Sequence, residues 1–463
     1  SNLMFIPDSV KDKIAEVSIQ GHLKQGKIIY DPNKEPTRRL HFDTKFEEIN
    51  TKSSPQFPLL SSLSGHAFGY PNQGTVSLDT FDTEIEFDLT EKKSIQLNRV
   101  VGSVNWLKIE NDWEMVSPEL QIQSKDLSAN LRGTVKLFAD EPSPFLDLVV
   151  NIDEAELINI PDYLPRTEKF KFRDWMKRSV LGGQLRSASA LFRGRISDFP
   201  FDKKNGRFKL IANTENGTLD YSAIWPPVDN IDAEVIIDGR EMHANIRHGE
   251  IFDAEITNAD ANIANILTRQ KTLDINGHIR GSTKSLSLFI LQSPLQKNPG
   301  LNEINRSLQS GDISLNLDLN IPLKQPGKTV GVIGNIALAN SVLKSPIKSL
   351  QLTDVSGNIN FTRHSVSSEI MNATFVENPV KLTISGNKTD PKNLPGIRIS
   401  GMADEQFVAD RLLEYFPALE SLENYFRNRM IGEAEWSVTM TNLPVEKGKL
   451  VVKKLEIESN LVG

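Results

Sequence analysis

The residues best suited to acid–base or metal chemistry are the seven histidines, in a chain with no cysteine. His243 and His248 stand closest together, five residues apart within alternating sequence. That spacing puts them on opposite faces of an extended strand, so they do not read as joint ligands. The absence of cysteine removes thiolate nucleophiles, thiolate zinc sites and disulfides. No HExxH, GxSxG or P-loop pattern occurs. The glycines of "GKTVGVIGN" (327–335) lack dinucleotide-binding spacing and read as a loop between strands. Asp and Glu mostly occupy the water-facing positions of alternating segments, where a solvated sheet needs them. No carboxylate pair is nominated for acid–base work. The sequence therefore offers no catalytic residue, no metal site and no cofactor site.

One basic cluster stands out: Lys169, Lys171, Arg173, Lys177 and Arg178. It reads first as the solvated face of a helix with cations near its C-terminus, and second as a contact for anionic headgroups. The net charge of −7 over 463 residues gives no global field that would attract nucleic acid. No run of about 18 apolar residues is present. The opening "SNLMFIPDSV" reads as an artificial junction, and "IESNLVG" stops inside a strand-like pattern. The chain is thus expected to be a segment of something longer.

The dominant signal is period-two alternation. In "DISLNLDLNIPL", Ile313, Leu315, Leu317, Leu319 and Ile321 fall on one face, with Ser314, Asn316, Asp318 and Asn320 on the other. The same pattern places Ile85 and Phe87 together, then Leu146, Leu148 and Val150, then Phe208 and Leu210. It recurs at Val235 and Ile237, Ala244 and Ile246, Leu382 and Ile384, and Trp436 and Val438. Asn205-Gly206, Asn216-Gly217, Asp238-Gly239 and Ser356-Gly357 supply turn signals between such runs. Helical spacing is confined to "TEKFKFRDWMKRSVLGG", "STKSLSLFILQSPL", "GLNEINRSLQSG" and the tract 404–432, which Pro417 breaks in two. The fold class is mainly β: a long, curved antiparallel sheet of repeating units forming an apolar groove, with a few short helices between repeats.

Two kinds of recurrence support a repeat array. A helix end, a glycine and an alternating strand follow one another in "RSVLGGQLRSASALFRG", "RSLQSGDISLNLDLNI" and "RNRMIGEAEWSVTM". A proline-led segment, "IWPPVDNIDAEV", resembles "KSPIKSLQLTDVSGNI". The expected units are 1–145, 146–270, 271–400 and 401–463, the last a helix pair with the start of a further β-repeat. Trp225, Pro226 and Pro227 read as a seam between repeats, since each proline removes a ladder donor.

Hydrophobic residues make up only 38% of the chain, and the helices are too few to cover so many strands. The sheet must either fold on itself or curl into a groove whose apolar lining a ligand covers. Lipid acyl chains suit the groove. The alternating apolar residues above are its expected lining.

"YLPRTEKFKFRDWMKRSVLGG", "GRISDFPF" (194–201), "GRF" (206–208) and "LDYSAIWPPVDNIDAEV" (219–235) together resemble the YhdP-like branch of the AsmA-like proteins. So do the tracts 293–323 and 432–463. The resemblance implies a periplasmic segment of an inner-membrane-anchored protein of a Gram-negative bacterium. It implies a groove that shields phospholipid acyl chains between inner and outer membranes, and no catalytic residues. The partners it implies are phospholipid, the inner membrane through an N-terminal anchor, and outer-membrane or periplasmic proteins through a C-terminal part. The alternatives are a non-catalytic periplasmic scaffold or envelope assembly factor and, more remotely, a β-solenoid enzyme acting on polysaccharide.

Overall fold

The computed structural model describes residues 20–50, 59–86, 94–141, 143–163, 172–268, 270–323, 329–344, 350–386, 393–415, 433–441, 443–446, 449–450 and 452–461. The chain divides into two compact units. Unit 1 comprises Ser1–Leu219, Asp232–Ala244 and Ala264–Leu267; unit 2 comprises Asp220–Ile231, Asn245–Ile263 and Thr268–Gly463. The fold is mainly β and antiparallel, as the alternation predicts.

Unit 1 is a meander of strands β1 (Gln20–Tyr30), β2 (Leu40–Asn50), β3 (Leu59–Ser61), β4 (Leu63–Tyr70), β5 (Gln73–Glu86), β6 (Ser94–Ile109), β7 (Asp112–Gln123), β8 (Leu127–Leu137), β9 (Phe145–Glu156), β10 (Val180–Arg195) and β11 (Arg207–Leu219). Each long strand pairs with the next, β2 pairs with β4, and β3 adds to the edge of β5. Two short helices, α1 (Ile160–Tyr163) and α2 (Phe172–Ser179), lie between β9 and β10. The Tyr163 hydroxyl meets the Ser124 hydroxyl at 2.6 Å and ties α1 to the end of β7. A small buried cluster of Ala155, Leu185 and Ala188, with Ile152, Leu157 and Ile160 against it, closes this margin. Strand β12 (Val228–Asp238) begins in unit 2, and its residues from Asp232 onward belong to unit 1. Strand β13 (Glu241–Ile251) begins in unit 1 and continues in unit 2 from Asn245.

Unit 2 continues with β14 (Ala254–Ile263), β15 (Lys271–Ser282), β16 (Leu308–Leu323), β17 (Gly331–Lys344), β18 (Gln351–Thr362), β19 (Val366–Ser368), β20 (Met371–Phe375), β21 (Asn378–Ser385), β22 (Asn393–Leu394), β23 (Gly396–Asp404), β24 (Glu433–Thr441), β25 (Leu443–Glu446), β26 (Lys449–Leu450) and β27 (Lys454–Leu461). At β18 the pairing forks: Ile359–Phe361 ladder onto β19, while Thr353 and Ser356 pair with β20. Helices α3 (Thr283–Leu291) and α4 (Pro299–Ser307) lie between β15 and β16. Each starts on a side-chain cap: the Ser285 amide donates to the Ser282 hydroxyl at 3.3 Å, and the Leu301 amide donates to the Asn298 carbonyl oxygen at 3.1 Å. Helix α5 (Glu405–Tyr415) is the first half of the expected pair; the second half lies outside the described residues.

A recurrent device bends the strands in both units. Glu48, Asp82, Asn216, Asn340 and Asp354 all sit mid-strand in the left-handed region, with φ from 48° to 54°. The ladder shifts register at Glu48, Asn216 and Asn340, as at a β-bulge. The amide freed at each bulge finds a side chain of the next strand. Glu48 N–H donates to Ser64 Oγ at 3.2 Å, Asn216 N–H to Asp232 Oδ1 at 3.0 Å, and Asn340 N–H to Ser356 Oγ at 3.2 Å. Period-two reading misses this feature, because a bulge costs the pattern one residue and no more.

Gly133 meets a different demand. Its φ is +144°, and a Cβ there would run into the Asp147 carbonyl oxygen of β9. Gly133→Ala is expected to destabilise the protein by about 1–3 kcal/mol. Gly182, with open space around its missing Cβ, is the control, and Gly182→Ala should shift the urea midpoint little. Equal shifts for the two would show that the Gly133 contact does not constrain the sheet.

Candidate functional site: an uncharged apolar face in unit 1

Residues directly opposite one another in a ladder share a face, so the register of unit 1 defines rungs that cross the sheet. One runs Leu23, Phe46, Gly65, Leu78, Gly102, Leu120, Leu131, Val150, Ala190, Leu210, across β1, β2 and β4–β11. A second runs Ile28, Phe42, Gly69, Gly74, Trp106, Met115, Val135, Leu146, Gly194. Between them lie Thr44, Ala67, Val76 and Val104 on one side, and Gly133, Leu148, Phe192 and Phe208 on the other. None of these residues is charged. The opposite face carries Lys136–Glu114 at 2.9 Å, Arg193–Asp147 at 3.7 Å, and Arg186 between Glu154 and Glu215 at 3.1 and 2.7 Å.

The apolar rungs are not sealed. Phe42, Phe46, Leu78, Trp106, Met115, Leu120, Leu131, Val135, Leu146, Leu148, Val150, Phe192, Phe208 and Leu210 are all half-buried, and Leu23 is 69% exposed. A contiguous uncharged surface across ten strands is far more than the scattered exposed apolar residues of an ordinary soluble domain.

Aromatic rings shape it at two places. Trp106 stacks parallel to Phe42, with centroids 6.0 Å apart and planes within 2°. The two rings meet across Gly69 and Gly74, and a Cβ on Gly74 would strike the Trp106 indole. At the β10–β11 end, Phe192, Phe199, Phe201 and Phe208 interlock with centroids 5.3–6.3 Å apart. Phe201 fills the space that Gly194 and Gly206 leave open. This is the structural sense of "GRISDFPF…GRF": its two glycines and three phenylalanines, with Phe192 just before them, wall one side of the face. Gly74→Val should push the Trp106 ring off Phe42, read as a change in near-ultraviolet circular dichroism with far-ultraviolet signal retained.

Unit 2 treats the same kind of strand differently. Ile313, Leu315, Leu317, Leu319 and Ile321 are only 3–5% exposed, and Leu382, Ile384, Trp436 and Val438 are 3–7% exposed. They join one core with Leu286, Phe289 and Ile290 of α3, Leu301 and Ile304 of α4, and Leu394 and Leu443 of the small β22–β25–β26 sheet. The helices expected to be too few to cover the strands do cover them here, because α3 and α4 lie against β16.

The remaining nominated residues fall as follows. Ile85, Val235, Ala244 and Ile246 are half-buried and Ile237 is buried; Phe87 lies outside the described residues. Trp225 is 4% exposed and packs on Phe289 at 5.8 Å between centroids, so it covers protein. Pro226 is buried and Pro227 exposed, just ahead of β12. In the basic cluster, Arg173 is buried, Lys177 pairs with Asp162 at 3.0 Å, and Arg178 donates to the Asp174 carbonyl; Lys169 and Lys171 lie outside the described residues. His248 sits 3.8 Å from Glu250 and 3.7 Å from Glu255. Among the described residues, no group of three or more His, Asp or Glu is arranged to hold a metal, and no helix is long and apolar enough to cross a membrane.

The family model described as YhdP protein matches residues 1–463. The chain belongs to the YhdP family. A curated relative, the "Intermembrane phospholipid transporter YhdP" of Escherichia coli strain K12, is 21% identical over 353 residues, covering 75% of this chain and 27% of the relative. The chain thus spans about a quarter of the length of that YhdP protein. No solved structure matches it.

Proposed function

We propose that this chain is a section of a phospholipid conduit, and that the apolar face of unit 1 holds acyl chains while headgroups stay in water. The observation that carries this reading is the half-exposed, charge-free set of rungs across β1, β2 and β4–β11. Each methylene moved from water onto such a face gains about 0.8 kcal/mol. Exposed rungs of leucine and phenylalanine therefore bind acyl chains without any polar recognition. Membership of the YhdP family and the transporter among its relatives support the same reading. The conduit works in the periplasm of a Gram-negative bacterium, within an inner-membrane-anchored protein that passes phospholipid between the two membranes. The chemistry is transport, with no bond made or broken.

Photo-crosslinking residues at Leu131 and Leu148 should label phospholipid in cells. The same probe at Asn130 and Asp147, which the register places on the other face, should not. Equal labelling of both faces sinks the reading. A probe at Leu317 should label protein rather than lipid, because protein side chains already fill its surroundings.

A further inference from the structure

Unit 2 has an outer-face feature that acyl-chain transport does not use. Two rungs cross β15–β19 there: Asn276, Asp318, Ile333, Thr362, and beside it His278, Asn316, Asn335, Asn360, Ser367. All of these but His278, together with Ser365, border a cavity of about 360 Å³. Elsewhere the outer faces carry cross-strand ion pairs; here four amides stand together.

The amides are only partly used. Asn335 Nδ2 donates to Asn360 Oδ1 at 2.8 Å, and Asn316 Oδ1 meets the His278 ring at 2.6 Å. That leaves the Asn316 and Asn360 amino groups and the Asn335 carbonyl oxygen with bonding capacity to spare. Among the described residues, the side chains of Asn276 and Asp318 make no hydrogen bond or ion pair. Ile333 is 63% exposed in the midst of them.

The lining selects against most ligand classes. Among the described residues it contains no lysine or arginine, and Asp318 repels an anion. A single carboxylate is too little for a metal ion. An apolar ligand would strip water from the amides without replacing their hydrogen bonds. What fits is a neutral molecule rich in hydroxyl or acetamido groups, with a flat C–H face to lie on Ile333. We infer that this cavity is a binding site for a neutral carbohydrate, an N-acetylated sugar chain in particular, running across the strands. Neighbouring amides about 4.8 Å apart then meet successive polar groups of the chain.

Titration calorimetry of the whole chain with the tetramer of N-acetylglucosamine should show saturable 1:1 binding. Asn360→Ala and Ile333→Asp should each weaken it about tenfold or more, one lost hydrogen bond being worth about a factor of ten. Both are surface substitutions, and melting temperature and co-purified phospholipid should not change. No saturable heat overturns the proposal. So does binding that both variants leave intact, or binding lost only in step with melting temperature. Failure here leaves the phospholipid reading standing, since the amide face and the apolar face are in different units.

Discussion

Replacing Leu148 with aspartate is expected to strip phospholipid from the protein while leaving it folded. Leu148 stands on the apolar face between Gly133 and Phe192 and is half-buried in the protein alone. A carboxylate there keeps part of its hydration when the face is empty, so the fold tolerates it. An acyl chain laid over it removes that water and pays a desolvation penalty. Together with the lost apolar contact this amounts to about 3 kcal/mol, a factor on the order of 100 in affinity. Mass-spectrometric quantitation of co-purified phospholipid, beside a urea melt, separates the two effects. Normal lipid content in a folded Leu148→Asp protein would remove unit 1 from the lipid path.

The opposite result is expected at Leu317. Its ladder neighbours are Gly277 on β15 and Gly334 on β17, and its side chain is 5% exposed in a core of protein side chains. Leu317→Ala should cost about 2–5 kcal/mol through lost burial and the cavity left behind. Leu317→Asp should cost more, since nothing nearby pairs with a buried carboxylate. Hydrogen exchange resolved along the chain should show protection lost in β15–β18 first. If Leu317→Asp melts like the unaltered protein while lipid is lost, the β16 apolar row is an open lipid surface after all.

The pair of predictions shows where sequence and structure part. The period-two rows of β9 and β16 look alike: Leu146, Leu148, Val150 in one, Leu315, Leu317, Leu319 in the other. Both were legible as dry faces, because a strand's side chains alternate whatever surrounds it. The cleanest row in the sequence, that of β16, lies in the closed core, whereas the less regular row of β9 lies on the open face. No local pattern separates them, since coverage depends on segments distant in sequence or on other strands. For β16 these are α3, α4 and the β22–β25–β26 sheet. The Trp106–Phe42 stack was equally hidden, because it depends on Gly69 and Gly74 coming between the two rings by register.

By itself the sequence determined the β class, the places of α2, α3, α4 and α5, and the family. These follow from residue type and near-neighbour spacing, which act within a few residues of the chain. Only the tertiary structure decided which apolar faces stay open, where Trp225 packs, and where four outer asparagines meet. Those outcomes depend on strand register and on what folds across each face. Both are set by the summed burial of residues far apart in the chain.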